Sequence, residues 1–250
     1  MSIEAIVVSV ALGAVLGGLG GLFGIGGGII AIPALGLLFG MNQQAAEGTA
    51  LVMIVANVLL GFWKYRQRSA IDWRFAVTLA LSASLFTYVT ARWAVHLPTD
   101  VLREAFAVFL IAMAIYLCIR IARPNRAETP SPLAWPWSAL VGVTGGILSG
   151  LFGVGGATIA PPALTRFFGL SQSAAQGLAL ALVAPGTIVA LFVYAKAGDV
   201  DWSIGLALAL GGLTTVSVGV AAAHRLPEKN LRLLFCGFLV CTAGALFMHG

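Results

Sequence analysis

Two glycine clusters carry most of the chemistry this chain can offer. Gly21-Leu22-Phe23-Gly24-Ile25-Gly26-Gly27-Gly28 leads into Pro33-Ala34-Leu35, and Gly150-Leu151-Phe152-Gly153-Val154-Gly155-Gly156-Ala157-Thr158 leads into Pro162-Ala163-Leu164. Glycine tolerates positive φ and leaves backbone N–H groups uncovered. A helix that starts just after such a run adds unsatisfied N–H donors and the positive end of its dipole. Together these features make an anion site that needs no buried lysine or arginine. Gly24, Gly26, Gly27, Gly28, Gly153, Gly155, Gly156, Ala157 and Thr158 are therefore the candidate contacts for a small anion. The Lys-Ser/Thr ending of a nucleotide P-loop is absent from both clusters, which excludes that use of the glycines.

A second group of polar residues follows each cluster. Gln43, Gln44, Glu47, Thr49 and Asn57 in the first half align with Gln172, Ser173, Gln176, Leu178 and Gly186 in the second. Gln43, Gln172, Gln176 and Asn57 are candidate pathway residues. Asn57 has two readings, a lining residue or a hydrogen bond between helices. Glu47 is an acidic residue placed within an apolar segment. It could carry a coupling proton, or it could sit hydrated at the outer membrane interface. Opposite Asn57, Pro185-Gly186 is expected to interrupt its segment and free backbone carbonyls.

These residues are positioned by a duplication. With an offset of 129 residues, held without a gap from Gly13/Gly142 to Leu117/Leu246, 39 of 105 aligned positions are identical. The composition puts the duplicated unit in a membrane: 60% of residues are hydrophobic and 9% charged, against about a quarter charged in soluble domains. Each half holds five apolar segments, at residues 5–22, 29–40, 46–63, 73–92 and 103–121, then 136–151, 158–169, 175–194, 202–223 and 231–248. The fold class expected is an all-α polytopic membrane protein with 8–10 membrane segments. Residues 1–122 form one repeat, 123–134 a polar, proline-containing linker, and 135–250 the other. The second segment of each half is short, contains proline and follows the glycine run, as in a re-entrant or broken helix. Gly13, Gly17 and Gly21, like Gly142, Gly146 and Gly150, recur every four residues and read as a close helix-packing stripe.

Charge decides how the halves face each other. If the repeats are inverted with both termini outside, 11 basic residues fall on the cytoplasmic side and 3 (Arg92, Arg103 and Lys196) outside; parallel repeats give 8 and 6. The positive-inside rule favours inversion. Inverted repeats would bring the two glycine-led helix starts together near the midplane from opposite sides. Trp63, Trp73, Trp93, Trp135, Trp137 and Trp202, near segment ends, read as interfacial anchors. The net charge of +5 belongs to the loops between apolar runs and does not imply nucleic acid. The three cysteines show no spacing for a disulfide or zinc site, and the N-terminus lacks a basic signal-peptide region, so the first run reads as a retained helix.

The duplicated Gly-x-Phe-Gly-x-Gly-Gly-Gly-x-x-x-x-Pro-x-Leu pattern, followed by Ala46-Glu47-Gly48-Thr49-Ala50-Leu51, resembles the TauE/SafE family of sulfite and organosulfonate exporters. Gly21, Phe23, Gly24, Gly26, Gly27, Gly28 and Pro33 match one copy of the pattern; Gly150, Phe152, Gly153, Gly155, Gly156 and Pro162 match the other. The chain departs from it at Ala157, which replaces the third consecutive glycine, and at Leu178, the counterpart of Thr49. The resemblance implies a secondary transporter of sulfite, sulfonates or sulfoacetate-like anions in the cell's inner membrane, working by alternating access. The expected partners are the anion, the lipid bilayer and protons as coupling ion, with an oligomer possible and no cofactor. A passive anion channel, or a carrier of another small organic anion, is the alternative. A membrane-embedded enzyme is poorly supported, because no catalytic cluster falls within the segments.

Overall fold

A computed structural model describes residues 3–23, 26–68, 72–122, 133–154 and 156–223, together with Gly237. Gly24, Gly155, His224, most of the linker and nearly all of the last apolar segment lie outside the described residues. The described chain forms helices α1 (Ile3–Phe23), α2 (Gly28–Phe39), α3 (Gln43–Arg68), α4 (Trp73–Ala94), α5 (Thr99–Ala122), α6 (Ser138–Phe152), α7 (Ala160–Phe168), α8 (Gln172–Ala197) and α9 (Trp202–Ala223), with no strand among them. Six of these are long and apolar enough to cross a membrane, within Glu4–Leu22, Gln43–Lys64, Trp73–Ala94, Trp135–Phe152, Ala174–Ala197 and Trp202–Ala222.

Local sequence explains where the helices start and stop. Asp72 Oδ1 accepts the Arg74 N–H at 2.9 Å, which opens α4. The equivalent Asp201 accepts from Ser203 and Ile204 at 2.9 and 3.0 Å, which opens α9. Both are N-caps that satisfy otherwise orphaned donors. Gly40 and Gly169, again equivalent, end α2 and α7 with φ of +63° and +65°, the left-handed closure that glycine adopts without a Cβ penalty. Pro33 lies within α2 and Pro185 within α8, and neither breaks its helix. The interruption expected at Pro185-Gly186 is therefore corrected. The ring removes one N–H from the ladder, but tight packing keeps the helix continuous.

At about 1.5 Å per residue, the 12 residues of α2 reach about 18 Å, little more than half of a hydrocarbon core of ~30 Å. α7 is shorter still, with 9 residues, after a 3-10 turn at Gly156–Thr158. Both are half-length helices.

Packing exchanges elements between the halves. α1 lies along α9, and α6 along α4. Gly13, Gly17 and Gly21 face Leu208, Gly212 and Val216 in turn, while Gly142, Gly146 and Gly150 face the Leu79–Ser82 turn, Ala83 and Thr87. Both pairs therefore run in the same direction. A Cβ on any of these six glycines would run into the facing helix, so the stripes are backbone-to-backbone packing seams. α3 and α8, the equivalent central helices, run antiparallel: Glu47 meets Tyr194 near one end, and Gly61 meets Leu180 toward the other. The near end of the bundle holds the start of α3, the turn before α5, and the ends of α4 and α8. Arg66 and Trp73 share the far end, with the guanidinium 5.4 Å from the indole centroid. All six tryptophans are exposed, as interfacial anchors should be.

Candidate functional site

The two glycine runs meet. A Cβ placed on Gly28 would lie 3.6 Å from the carbonyl oxygen of Gly153. On the first side, Gly26 and Gly27 hold φ of +72° and +90°, which turns the chain back against α1 at Leu16 and Gly20 and against Ile54 and Val58 of α3. This sets the loop about half-way along α3, and α2 then leads back to the near end. On the second side, Gly153 has φ of +62° and sits against Glu47 and Leu51. Gly156 packs on Gly145 and Leu182, beside buried Ala157, and α7 leads away to the far end, where Leu133 N–H donates to Phe167 O at 3.0 Å.

The loops are in contact rather than parted. The gap beside the first one, between Gly20, Gly26, Asn57 and Val216, holds about 10 Å³, enough for a water at most. The gap beside Gly26 has no room for an anion in this conformation.

Glu47 is fully buried. The reading that placed it hydrated at the interface is corrected: α8 and the second glycine loop cover the face of α3 that a single segment would have left wet. Gln43 Nε2 donates to Glu47 Oε1 at 2.7 Å, and the Tyr194 hydroxyl donates to Oε2 at 2.6 Å. No cation contacts the carboxyl among the described residues. Such a group is expensive to bury as a charge, which is the usual mark of a functional residue in a membrane segment. Gln44 has a different job. Its amide donates to Leu97 O at 2.8 Å and its oxygen accepts from Thr99 at 3.0 Å, tying α3 to the turn before α5. Thr49 accepts the Asp201 N–H at 3.0 Å. Gln176 is half-buried, and of Gln172 only its place at the start of α8 is described.

Asn57 reaches the first glycine loop rather than another helix. Its amide donates to Gly26 O at 3.4 Å, a long bond from helix to loop, while its Oδ1 is buried with no partner. The second half holds a related polar atom that the sequence reading missed. Ser149 Oγ is also buried without a partner, beside Gly186 and Thr87. Ser149 is the equivalent of Gly20, and Gly186 the equivalent of Asn57. Each half thus keeps an unpaired oxygen, supplied by α3 in one case and by α6 in the other. Thr158 Oγ1 is a third such atom. Tyr194 was also missed. Its signal in the sequence is the identity with Tyr65, one of the 39.

The family described as sulfite exporter TauE/SafE matches residues 9–246. A probable membrane transporter protein of Methanocaldococcus jannaschii is 26% identical over 245 residues, covering 91% of this chain and 90% of the relative. One from Xylella fastidiosa is 28% identical over 247 residues, covering 96% and 94%. A third, from Bacillus subtilis, is 24% identical over 267 residues, covering 98% of both chains. No solved structure matches the chain.

Proposed function

The chain belongs to the TauE/SafE family of sulfite exporters and is a multi-pass membrane protein, and from that premise we propose that it is an inner-membrane secondary transporter of small sulfur oxyanions or organosulfonates. The observation that carries this reading is the meeting of two glycine loops half-way along the central helices, with α2 and α7 leading from them to opposite ends. Half-helices that start at mid-depth and point their N-termini at an anion are the way such carriers bind without a buried cation. The antiparallel course of α3 and α8 supports inverted repeats over residues 1–122 and 135–250, joined by a linker at 123–134 on the cytoplasmic side. It agrees with the charge split and with Arg92, Arg103 and Lys196 gathering at the near end.

The mechanism follows. Gly26–Gly28 and Gly153–Ala157 close on each other in the occluded state and part alternately toward the two ends as the repeats rock. Backbone N–H groups at the starts of α2 and α7, with Asn57 and Thr158, hold the anion. Gln43, Gln172 and Gln176 line its path. Glu47 takes up and releases the coupling proton, while Tyr194 and Gln43 position its carboxyl.

Flux measurements on the protein in proteoliposomes test this reading. The panel is sulfite, thiosulfate, methanesulfonate and a carboxylate, with and without a pH gradient. Uphill movement of the sulfur anions driven by the gradient is expected; no flux of any of them would end the proposal. Gradient-independent flux that Glu47→Gln leaves unchanged would indicate a passive channel.

A further inference from the structure

A cavity of about 560 Å³ opens at the near end between the ends of α4 and α8, lined among others by Tyr88, Arg92, His96, Phe192, Lys196 and Asp199. Its cations come from both halves. The positions equivalent to Arg92 and Lys196 are Ala221 and Gln67, so this end has no matching charged pair in the duplicate. Neither cation is neutralised. Arg92 donates to the Tyr88 hydroxyl at 3.2 Å and lies over that ring at 5.7 Å. Lys196 lies over the Phe192 ring at 4.5 Å. The one salt bridge among the described residues is Arg103–Asp100, elsewhere. His96 Nδ1 sits 2.7 Å from the Arg92 carbonyl. Asp199 is the one carboxyl on the wall, and burial pushes its pKa up.

The cavity also adjoins the buried acid. Val193 lines it, and the next residue, Tyr194, holds Glu47. On the other side of Glu47, Gln43 lines a second near-end cavity of about 300 Å³. The Glu47 cluster thus lies beneath two open vestibules, and the larger is cationic with aromatic walls.

We propose that the Arg92–His96–Lys196 cavity is a recruiting site for small oxyanions, above all sulfonates, at the near-end mouth of the path to the glycine loops. The two cations attract the oxyanion head, and the faces of Tyr88 and Phe192 accept a short organic tail. Cations without an ion-pair partner, set on low-dielectric walls, focus field into a cleft and raise the local concentration of anions. The role in transport rests on the function proposed above; the anion preference rests on this cavity alone.

The test separates the two. The full chain, with its three cysteines replaced by alanine and Ala197→Cys added on the exposed cavity wall, is reconstituted in phosphatidylcholine vesicles. Labelling rates are compared for a sulfonate-bearing and a trimethylammonium-bearing methanethiosulfonate reagent, each normalised to a free thiol. The sulfonate reagent is expected to react about tenfold faster at low salt, with the preference shrinking as ionic strength rises. Arg92→Gln with Lys196→Gln should remove it, and millimolar methanesulfonate should slow labelling of the parent. An absent preference, or one that survives the double substitution, overturns the proposal. So does protection given by phosphatidylglycerol but not by methanesulfonate, which would make this a lipid-headgroup site. Preference and protection without any anion flux would retain the recruiting site and reject the transport reading.

Discussion

The first half of the chain puts its polar side chains on α3, while the second half leaves the equivalent positions of α8 mostly bare. Glu47, Thr49 and Asn57 stand where α8 has Gln176, Leu178 and Gly186. The features that hold the two halves together differ far less. The glycine seams, the Asp72 and Asp201 caps and the Gly40 and Gly169 closures all recur in place. Duplication has therefore kept its scaffold in both copies and moved its charge into one. Packing between halves needs both copies of a seam, because each half's first helix leans on the other half's fourth. A second buried acid would add another costly burial.

The sharpest way to break this comparison is to attack what the halves share. Gly17→Val and Gly146→Val each drive a side chain into the facing backbone, and each is expected to cost about 3 kcal/mol or more. For a chain of this size that lowers the melting temperature by about 6–12 °C, or removes the folded peak in size-exclusion chromatography. Equal losses are expected; a mild loss for one would show that the seams are not equivalent.

Next come the residues that are not shared. Glu47→Gln should reduce gradient-driven accumulation about tenfold or more while leaving anion exchange intact, as for a membrane acid that carries the proton. Gln176→Ala should leave both within about twofold, as at a position without that role. A large loss from Gln176→Ala, or none from Glu47→Gln, would undo the asymmetry. Gly186→Asn tests the reciprocal exchange. Its Cβ would come within 3.3 Å of Thr87 Oγ1 and 3.5 Å of Ser149 Oγ, so a cost of about 1–3 kcal/mol in thermal unfolding is expected. Adding Ser149→Gly should recover a substantial part of that loss by rebuilding the Gly20–Asn57 arrangement. Tyr194→Phe removes one of the two donors to Glu47 and should cost about 1–2 kcal/mol.

The smallest effect is a pH dependence. Burial raises the pKa of Asp199, which lies in the loop before α9 where the first half has Ala70. The folded state therefore holds this proton more tightly than the unfolded state, and stability falls as pH rises through the carboxylate range. Asp199→Asn should flatten that decline, by under about 0.5 kcal/mol given the group's solvent exposure. A melting series from pH 4 to 7 reads it.

Much of the scaffold was legible in the sequence because its causes are local. A glycine run followed by a short proline-containing segment gives α2 and α7. Asp before Trp gives the starts of α4 and α9, and the four-residue glycine spacing gives the seams. The site was half legible. Residue type marks the glycine loops and Asn57 as candidates, and an inverted arrangement of the repeats predicts that the two loops meet. The burial of Glu47 was hidden, because the helix that covers it brings Tyr194 from 147 positions away. Ser149 was hidden for another reason. On its own it reads as one more small residue of the seam, and only the paired exchange Gly20/Ser149 with Asn57/Gly186 marks it. Pro185 misled outright, since a proline's local cost is real but tertiary packing exceeded it.

The half-length of α2 has an electrical consequence. On the route proposed above, an anion at the level of Gly28 and Gly153 would have passed through about half of the membrane voltage, with the remaining half across the other half-helix. A full crossing is worth about 2.3 kcal/mol per charge per 100 mV, so each half-step of a monoanion exchanges about 1.2 kcal/mol with the field. Inward and outward openings of the same loops would then be voltage-sensitive to similar degrees and with opposite sign, before any proton moves.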